Sequence, residues 1–509
     1  MYIIGFVALG LIAIAIYFFI IRPLTPLLLL KLKLGDKAIL MFNPINGFIG
    51  LLMNSIKKNH DAMETIYAAL RRNPNAKVIL SNLIYKPCII LTGSEYIRDS
   101  FQEHHNFEKM NPFQIKSYMQ KGLVFSEGER WKRQRNLLGS AFTFDKLKSR
   151  IPMMNQVVED IALKDSKENL NEFISRMTGE IVIKSFFGEL AQGFKLEGKD
   201  AQIALIELTG SMSQIQFENP FVFIKSLIFK ERMWDIFPSQ KEKDIVRRVD
   251  NVKMKVKEMI LKRIEQLRQN PIQDKDKMVF LDLYVTEYLS QQSQQKEQLI
   301  DIEEIIHQFT TLFFVGTDTT ATAIGTCLYY LAQYPEIQSE ILEEVQEVIG
   351  QNEIKEEHLN KLVKINALIQ EVLRLKNPSY STIFRIVKND TQLQEIKLKK
   401  GWALIQMQNA SHKQEKYFDK ATEFNYKRWL NKQKQVKNDN GYIYIPFGAG
   451  PRNCIGQHMA MMESKIIIAL LVRKYKIILN PEVQQQIRFG IKFLYILEPD
   501  NCLLFEKRI

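Results

Sequence analysis

Apolar and polar residues change their period several times along this chain, and each change marks an element. Met1 to Ile21 carries no charged side chain and is apolar throughout. As a helix rising about 1.5 Å per residue it covers roughly 30 Å, enough to cross the hydrocarbon core of a bilayer. It lacks the basic start, shorter apolar core and small-residue cleavage site of a cleaved signal peptide, so it reads as an uncleaved anchor. Arg22, Lys31 and Lys33 follow and put that flank on the cytosolic side. A second apolar patch, Pro26 to Leu30, is too short to span and suits the membrane interface. The predicted organisation is a transmembrane anchor over 1–21, a basic and apolar juxtamembrane linker over 22–35, and one large domain over 36–509.

Beyond the anchor, helical spacing dominates. Ala62 to Arg72 reads as a helix stopped by Pro74 and Asn75, and Lys77 to Leu83 and Pro87 to Leu91 are β-rich runs bounded by turns. Ser94 is placed to cap a helix over 95–101. On a helix over Ser126 to Leu138, Trp131 and Arg135 lie four apart and share a face. Residues 155–209 alternate helical segments with short breaks, and Phe217 to Phe237 is apolar and aromatic, punctuated by Pro220 and Pro238. Ile245, Val249, Val252, Val256, Ile260 and Leu267 recur at spacings of three, four and seven, the pattern of one long surface helix with a buried stripe. Gln291 to Gln298 is a low-complexity loop. Asp301 to Ala332 is long, apolar and free of proline, as a helix through the middle of a large core must be. Tyr334 to Ile349, Leu359 to Leu375 and Gln457 to Leu471 add three more helices, and Ile487 to Lys507 reads as a terminal hairpin around Glu498 to Asn501.

Composition narrows the class. The 509 residues allow about three domains, but no linker divides them, and 46% hydrophobic with 25% charged residues is ordinary for a globular chain with a sizeable core. The net charge of +13 is spread along the chain, with no basic, aromatic-interleaved patch for nucleic acid. Anionic lipid or an acidic protein surface is the more natural partner. Cysteines 88, 327, 454 and 502 form no C-x-x-C pair and the seven histidines no H-E-x-x-H. This argues against a zinc site and a disulfide framework and for a reducing compartment.

The chemistry concentrates in two stretches. Pro446 to Gly456 reads P-F-G-A-G-P-R-N-C-I-G. Its glycines permit a tight loop with close backbone approach, and Cys454 precedes a helix whose macrodipole favours a thiolate, the axial ligand a haem iron takes. The second stretch is F-F-V-G-T-D-T-T, Phe313 to Thr320. Gly316 costs about 1 kcal/mol in a helix interior and Asp318 has a desolvation cost if buried, so two rules are broken close together. Its threonines are equally able to bond back to helix carbonyls. Val315, Gly316 and Thr319 share a face.

Together, Phe447, Gly448, Gly450, Arg452, Cys454 and Gly456 match F-G-x-G-x-R-x-C-x-G, and the chain resembles the cytochrome P-450 family from the anchor onward. The motifs follow in family order: Trp131 and Arg135 as W-x-x-x-R, Gly316 to Thr320 as the oxygen segment, Glu371 and Arg374 as E-x-x-R, Arg428 in F-N-Y-K-R-W, then the Cys454 loop. The resemblance implies a mainly α fold with minor β-structure, a single large helical domain enclosing one haem b. It implies Cys454 as the axial iron ligand, and Trp131, Arg135, Arg385 and Arg452 as partners of the haem propionates. Phe447, Gly448, Gly456 and Gly316 shape the haem site, Thr319 stands beside bound O2, Asp318 relays protons, and Glu371, Arg374 and Arg428 form a structural cluster holding the Cys454 loop. The implied reaction inserts one atom of O2 into a lipophilic small molecule, with NADPH electrons delivered by a membrane-bound flavoprotein reductase. Lys132, Arg133 and Lys465 are candidates for docking that reductase. The implied location is the endoplasmic reticulum membrane, with a single-pass anchor and the catalytic domain in the cytosol. Loops 104–122 and 217–237 would set the pocket shape, the latter either roofing it and touching lipid or packing as an ordinary loop. Val315 and Tyr426 depart from the pattern, where a small residue and a proline are usual. A haem-thiolate isomerase or dehydratase acting on a peroxide, and a non-catalytic haem or ligand-binding protein, are the alternatives.

Overall fold

The computed structural model describes residues 2–44, 47–110, 118–161, 168–274, 278–293, 299–430, 441–491 and 494–508. Part of loop 104–122 and residues 294–298 of the low-complexity loop lie outside them. The chain divides into two compact units, each drawn from three stretches: residues 1–110, 370–454 and 486–499 form the first, and 111–369, 455–485 and 500–509 the second.

The first unit begins with helix Tyr2–Ile16, a π-helical turn Tyr17–Ile21 and helix Arg22–Leu34. Among the described residues, Phe6–Lys37 is the one helical stretch long and apolar enough to cross a membrane. Residues 22–35, read from the sequence as a linker, thus continue the helix. Pro23 falls in its first turn, where a missing N–H is tolerated. Its leucines divide: Leu27, Leu30 and Leu34 pack into a core with Val78, Leu80, Ile89 and Leu91, whereas Leu28, Leu29 and Leu32 are exposed. Only that outer face remains for lipid.

That core covers a six-stranded sheet. Ala38–Leu40 runs parallel to Val78–Leu83, which forms a hairpin with Lys86–Leu91. Ala403–Gln406 lies parallel on the other side of Lys86–Leu91, and Arg385–Val387 and Phe107–Lys109 complete the sheet antiparallel. The hairpin strands are buried on both faces, which explains their unalternating apolar runs.

The second unit is helical around Ile302–Gln333, whose N-cap Asp301 accepts from the Glu304 N–H. This helix lies against Leu170–Phe187 through reciprocal glycines. A Cβ on Gly179 would come 3.3 Å from the Phe313 ring, one on Gly316 3.1 Å from Val182, and one on Gly325 3.4 Å from Leu170. Helix Gln240–Gln269 opens with a Ser239–Glu242 capping box and buries the whole predicted stripe. At the C-terminus the strands flanking 498–501 do not pair with each other. Tyr495–Glu498 pairs with Arg488–Ile491, and Leu503–Lys507 with Tyr475–Leu479. Turn residues between two strand-like runs do not reveal that each strand has a partner on its other side.

Candidate functional site

In the first unit the loop around Cys454 is built by its glycines. Gly448 and Gly450 have φ of 74° and 67°, values that strain other residues, and a Cβ on Gly450 would come 3.3 Å from Phe101 Cβ. The turn closes with the Gly448 N–H donating to Ile445 O and the Cys454 N–H donating to Phe447 O, both 2.9 Å. Asn377 Nδ2 holds it from outside on Pro446 O at 2.9 Å. Cys454 is exposed, whereas Cys88, Cys327 and Cys502 are buried. Burial pushes the Cys502 thiol up to about 12 and raises the Cys88 and Cys327 thiols further, so Cys454 is the sulfur a ligand can reach.

Beneath that loop Glu371, Arg374 and Arg428 come together. Glu371 and Arg374 are fully buried and joined as a fork, Nε to Oε2 at 2.9 Å and Nη2 to Oε1 at 2.8 Å. Glu371 also accepts from Arg428 Nε (3.1 Å), the Asn425 N–H (2.9 Å) and Trp429 Nε1 (2.8 Å). Arg374 donates further to the carbonyls of His412, Ala421 and Glu423. Trp429 packs on Tyr444, ring centroids 4.6 Å apart, and Tyr444 leads into the loop. Tyr426 is buried, and its turn closes without proline because the Asn425 side chain accepts from the Lys427 N–H. His412 was not singled out in the sequence. Burial first, then the Arg374 charge, holds its ring down at about 3, and its Nε2 accepts from the Ile445 N–H at 3.4 Å.

Arg385 is buried, with Nε 3.2 Å from Gln406 Oε1. Burial lowers His104, and the charges of Arg452, His105 and Arg385 lower it further. Arg385 and Arg452 thus both bear on His104, and each carries a guanidinium suited to an anion.

The second unit carries Trp131, Arg135, Gly316, Asp318, Thr319 and Gly456. Trp131 is buried and Arg135 half-buried on helix Gly128–Gly139. Thr319 Oγ1 donates to Val315 O at 2.6 Å. Asp318 is half-buried, and burial raises its carboxyl to about 7. The Thr317 hydroxyl is buried and has no hydrogen-bond partner among the described residues. Gly316 gives room to Val182 of the neighbouring helix, a packing role the sequence did not suggest. Gly122 was also missed: a Cβ there would run into Thr311 Oγ1, so only glycine lets residues 118–123 lie on the long helix. The Lys121 N–H donates to His307 Nδ1 (3.0 Å) and the Leu123 N–H to Gln308 Oε1 (3.1 Å). Of the cations expected to dock a reductase, Arg133 is paired with buried Glu304 at 2.7 Å and Lys465 donates to Leu359 O. Lys132 alone of the three points outward, and it pairs with exposed Glu129.

Among the described residues no three His, Cys, Asp or Glu side chains gather as a metal site. One reachable sulfur accompanied by two guanidiniums in the same unit therefore fits a metal that arrives inside an anionic prosthetic group, as iron does in haem.

The description "Cytochrome P450" belongs to the family model that matches residues 44–502. Similar proteins include Cytochrome P450 3A6 of Oryctolagus cuniculus, 24% identical over 83% of this chain and 83% of its own length. Cytochrome P450 4V2 of Mus musculus is 27% identical over 81% of this chain and 77% of its own. Cytokinin hydroxylase of Arabidopsis thaliana is 28% identical over 77% and 73%.

Proposed function

The chain belongs to the cytochrome P450 family, and we propose that it is a membrane-anchored monooxygenase in which the Cys454 sulfur would hold the iron of haem b. The reaction inserts one atom of O2 into a lipophilic small molecule. When bound, the haem would supply the iron at which O2 is activated, and the Cys454 sulfur would supply it with electron density. Arg385 and Arg452, with Trp131 and Arg135, are donors for the propionates, and Phe447, Gly448 and Gly456 shape the loop around the sulfur. Glu371, Arg374 and Arg428 keep that loop in one geometry.

On the oxygen side, Asp318 is raised to about 7, so it holds and gives up a proton at working pH. Thr319 has directed its own proton to Val315 O, which leaves the hydroxyl oxygen to accept one. Val315 narrows the space beside them. NADPH electrons arrive through a flavoprotein reductase, and the apolar N-terminal helix fixes the domain to the cytosolic face of the endoplasmic reticulum membrane. The similarity to a hydroxylase and the presence of both Asp318 and Thr319 favour oxygen insertion over peroxide isomerisation.

The observation that carries this reading is the single exposed cysteine, set in a loop of two left-handed glycines. Its test is the difference spectrum of the reduced, CO-bound protein. A strongly red-shifted Soret band in the wild type, lost in Cys454→Ser, is expected. A wild type that binds haem without that band overturns thiolate ligation.

A further inference from the structure

The anchor is not a uniform rod. At its domain end the π-helical turn Tyr17–Ile21 interrupts the α-helix, and such turns recur at functional sites. Beside it runs an open groove of about 390 Å³, walled by Leu11, Ile14, Phe18 and Phe19 and joined at its domain end by Arg22 and Tyr85. Tyr85 comes from the turn between strands Val78–Leu83 and Lys86–Leu91, so both walls belong to the first unit.

The groove is apolar except at this end, and the end is positive. The Arg22 guanidinium is exposed, 5.5 Å from the Phe18 ring centroid, and no carboxylate among the described residues pairs with it. The neighbouring cations are differently placed. Lys31 Nζ donates to the carbonyls of Gly35 and Ala38, Lys33 Nζ to the Glu395 carbonyl, and Lys37 pairs with the Glu395 carboxylate. Lys86 lies over Tyr85, 5.8 Å from its ring centroid, and adds positive charge next to the groove.

An apolar trough ending in an Arg and a phenol at the level where the helix leaves the bilayer matches one molecule: a lipid with an acyl chain and a negative headgroup. We propose that this groove binds one anionic phospholipid, its phosphate on Arg22 and the Tyr85 hydroxyl and one acyl chain along Leu11 to Phe19. The site rests on the anchor reading above. It tethers the strand hairpin to the membrane through the lipid as well as through the helix, and so fixes how the first unit faces the bilayer.

The test reconstitutes the full-length chain in phosphatidylcholine nanodiscs containing a minor share of phosphatidic acid with a photoactivatable acyl chain. A parallel sample carries the photoactivatable group on phosphatidylcholine. Nanodiscs are symmetric, so the topogenic role of Arg22 does not enter. Phosphatidic acid is expected to label Ile14, Phe18, Phe19 and Tyr85 well above Leu9 and Ile12, which lie outside the groove. Arg22→Gln lowers groove labelling about fivefold, Arg22→Lys retains most of it, and labelling at Leu9 and Ile12 is unchanged in both. Equal groove labelling by the phosphatidylcholine probe, displacement by a neutral sterol, or an unchanged Arg22→Gln overturns the site while leaving the anchor intact. A chain that does not co-purify with nanodiscs at all overturns the anchor reading and the site with it.

Discussion

Two polar groups, one on each unit, are built on opposite plans. Glu371 receives five hydrogen bonds, from Arg374 (two), Arg428, Asn425 and Trp429, and Arg374 satisfies three further carbonyls. On helix Ile302–Gln333, among the described residues, buried Thr317 Oγ1 has no partner and no cation pairs with Asp318, whose carboxyl burial alone raises to about 7. Complete satisfaction fixes one geometry. Incomplete satisfaction costs stability and leaves a carboxyl that keeps its proton up to near-neutral pH, which is a signature of function. The same residue types thus make a scaffold in one place and proton chemistry in the other.

The largest effect expected breaks the scaffold. Glu371→Ala leaves the fully buried Arg374 without its carboxylate, a loss of about 3–5 kcal/mol. Thermal unfolding of the haem-loaded protein is expected to show a large fall in midpoint, with the CO-bound spectrum degraded before the helices melt. Arg374→Lys keeps the charge but not the fork and is expected to fall between the two. A Glu371→Ala protein of wild-type stability would remove the distinction between the regions.

The next effect reverses the order of stability and activity. Asp318→Asn keeps the shape and removes the titrating proton, so reductase-supported turnover of an alkoxy probe is expected to drop about 100-fold, without loss of folded protein. The pH dependence of stability separates the two regions by sign. For Asp318 the folded state holds a proton that the unfolded state has lost between about pH 4 and 7, so its contribution falls as pH rises through that window. For His412 the unfolded state holds the extra proton between about pH 3 and 6.5, so stability rises with pH. Each slope amounts to about 1.4 kcal/mol per pH unit at most. Urea midpoints across this range should lose the falling component in Asp318→Asn and the rising one in His412→Asn. Identical profiles for both variants would contradict the assignment.

What the sequence revealed follows the same division. The long helices and the Val78 to Leu91 hairpin were legible because their signal is local: a 3.6-residue period, or two β-rich runs around a turn. The Cys454 loop was legible because its glycines and cysteine lie within one short run. The partners of Arg374 were not, since the carbonyls of 412, 421 and 423 reach it through a long irregular segment without periodicity. Gly122 and Gly316 show the same limit: their fit against Thr311 and Val182 depends on segments brought together from distant sequence. The terminal hairpin was misread because strand pairing is a choice among edges, and residues 495–507 offer strands to two different sheets.

The smallest effect sharpens the comparison most, because it separates two threonines two residues apart. Thr317 and Thr319 look interchangeable in T-D-T, but only Thr319 makes the i−4 bond, to Val315 O, while the buried Thr317 hydroxyl has no partner among the described residues. The Thr317 carbonyl accepts from Thr178 Oγ1 at 3.2 Å, a backbone bond that a side-chain change leaves in place. Replacing the hydroxyl by a methyl of similar size removes a desolvated group without opening a cavity, so Thr317→Val is expected to stabilise the protein by about 1 kcal/mol and leave turnover unaltered. Thr319→Val loses one helix-surface hydrogen bond and is expected to leave stability nearly unchanged while product formed per NADPH consumed falls. Unfolding midpoints and that coupling ratio, measured on both variants, make a crossed test. If Thr317→Val uncouples turnover instead, the Thr317 hydroxyl belongs to the proton path together with Asp318 and Thr319.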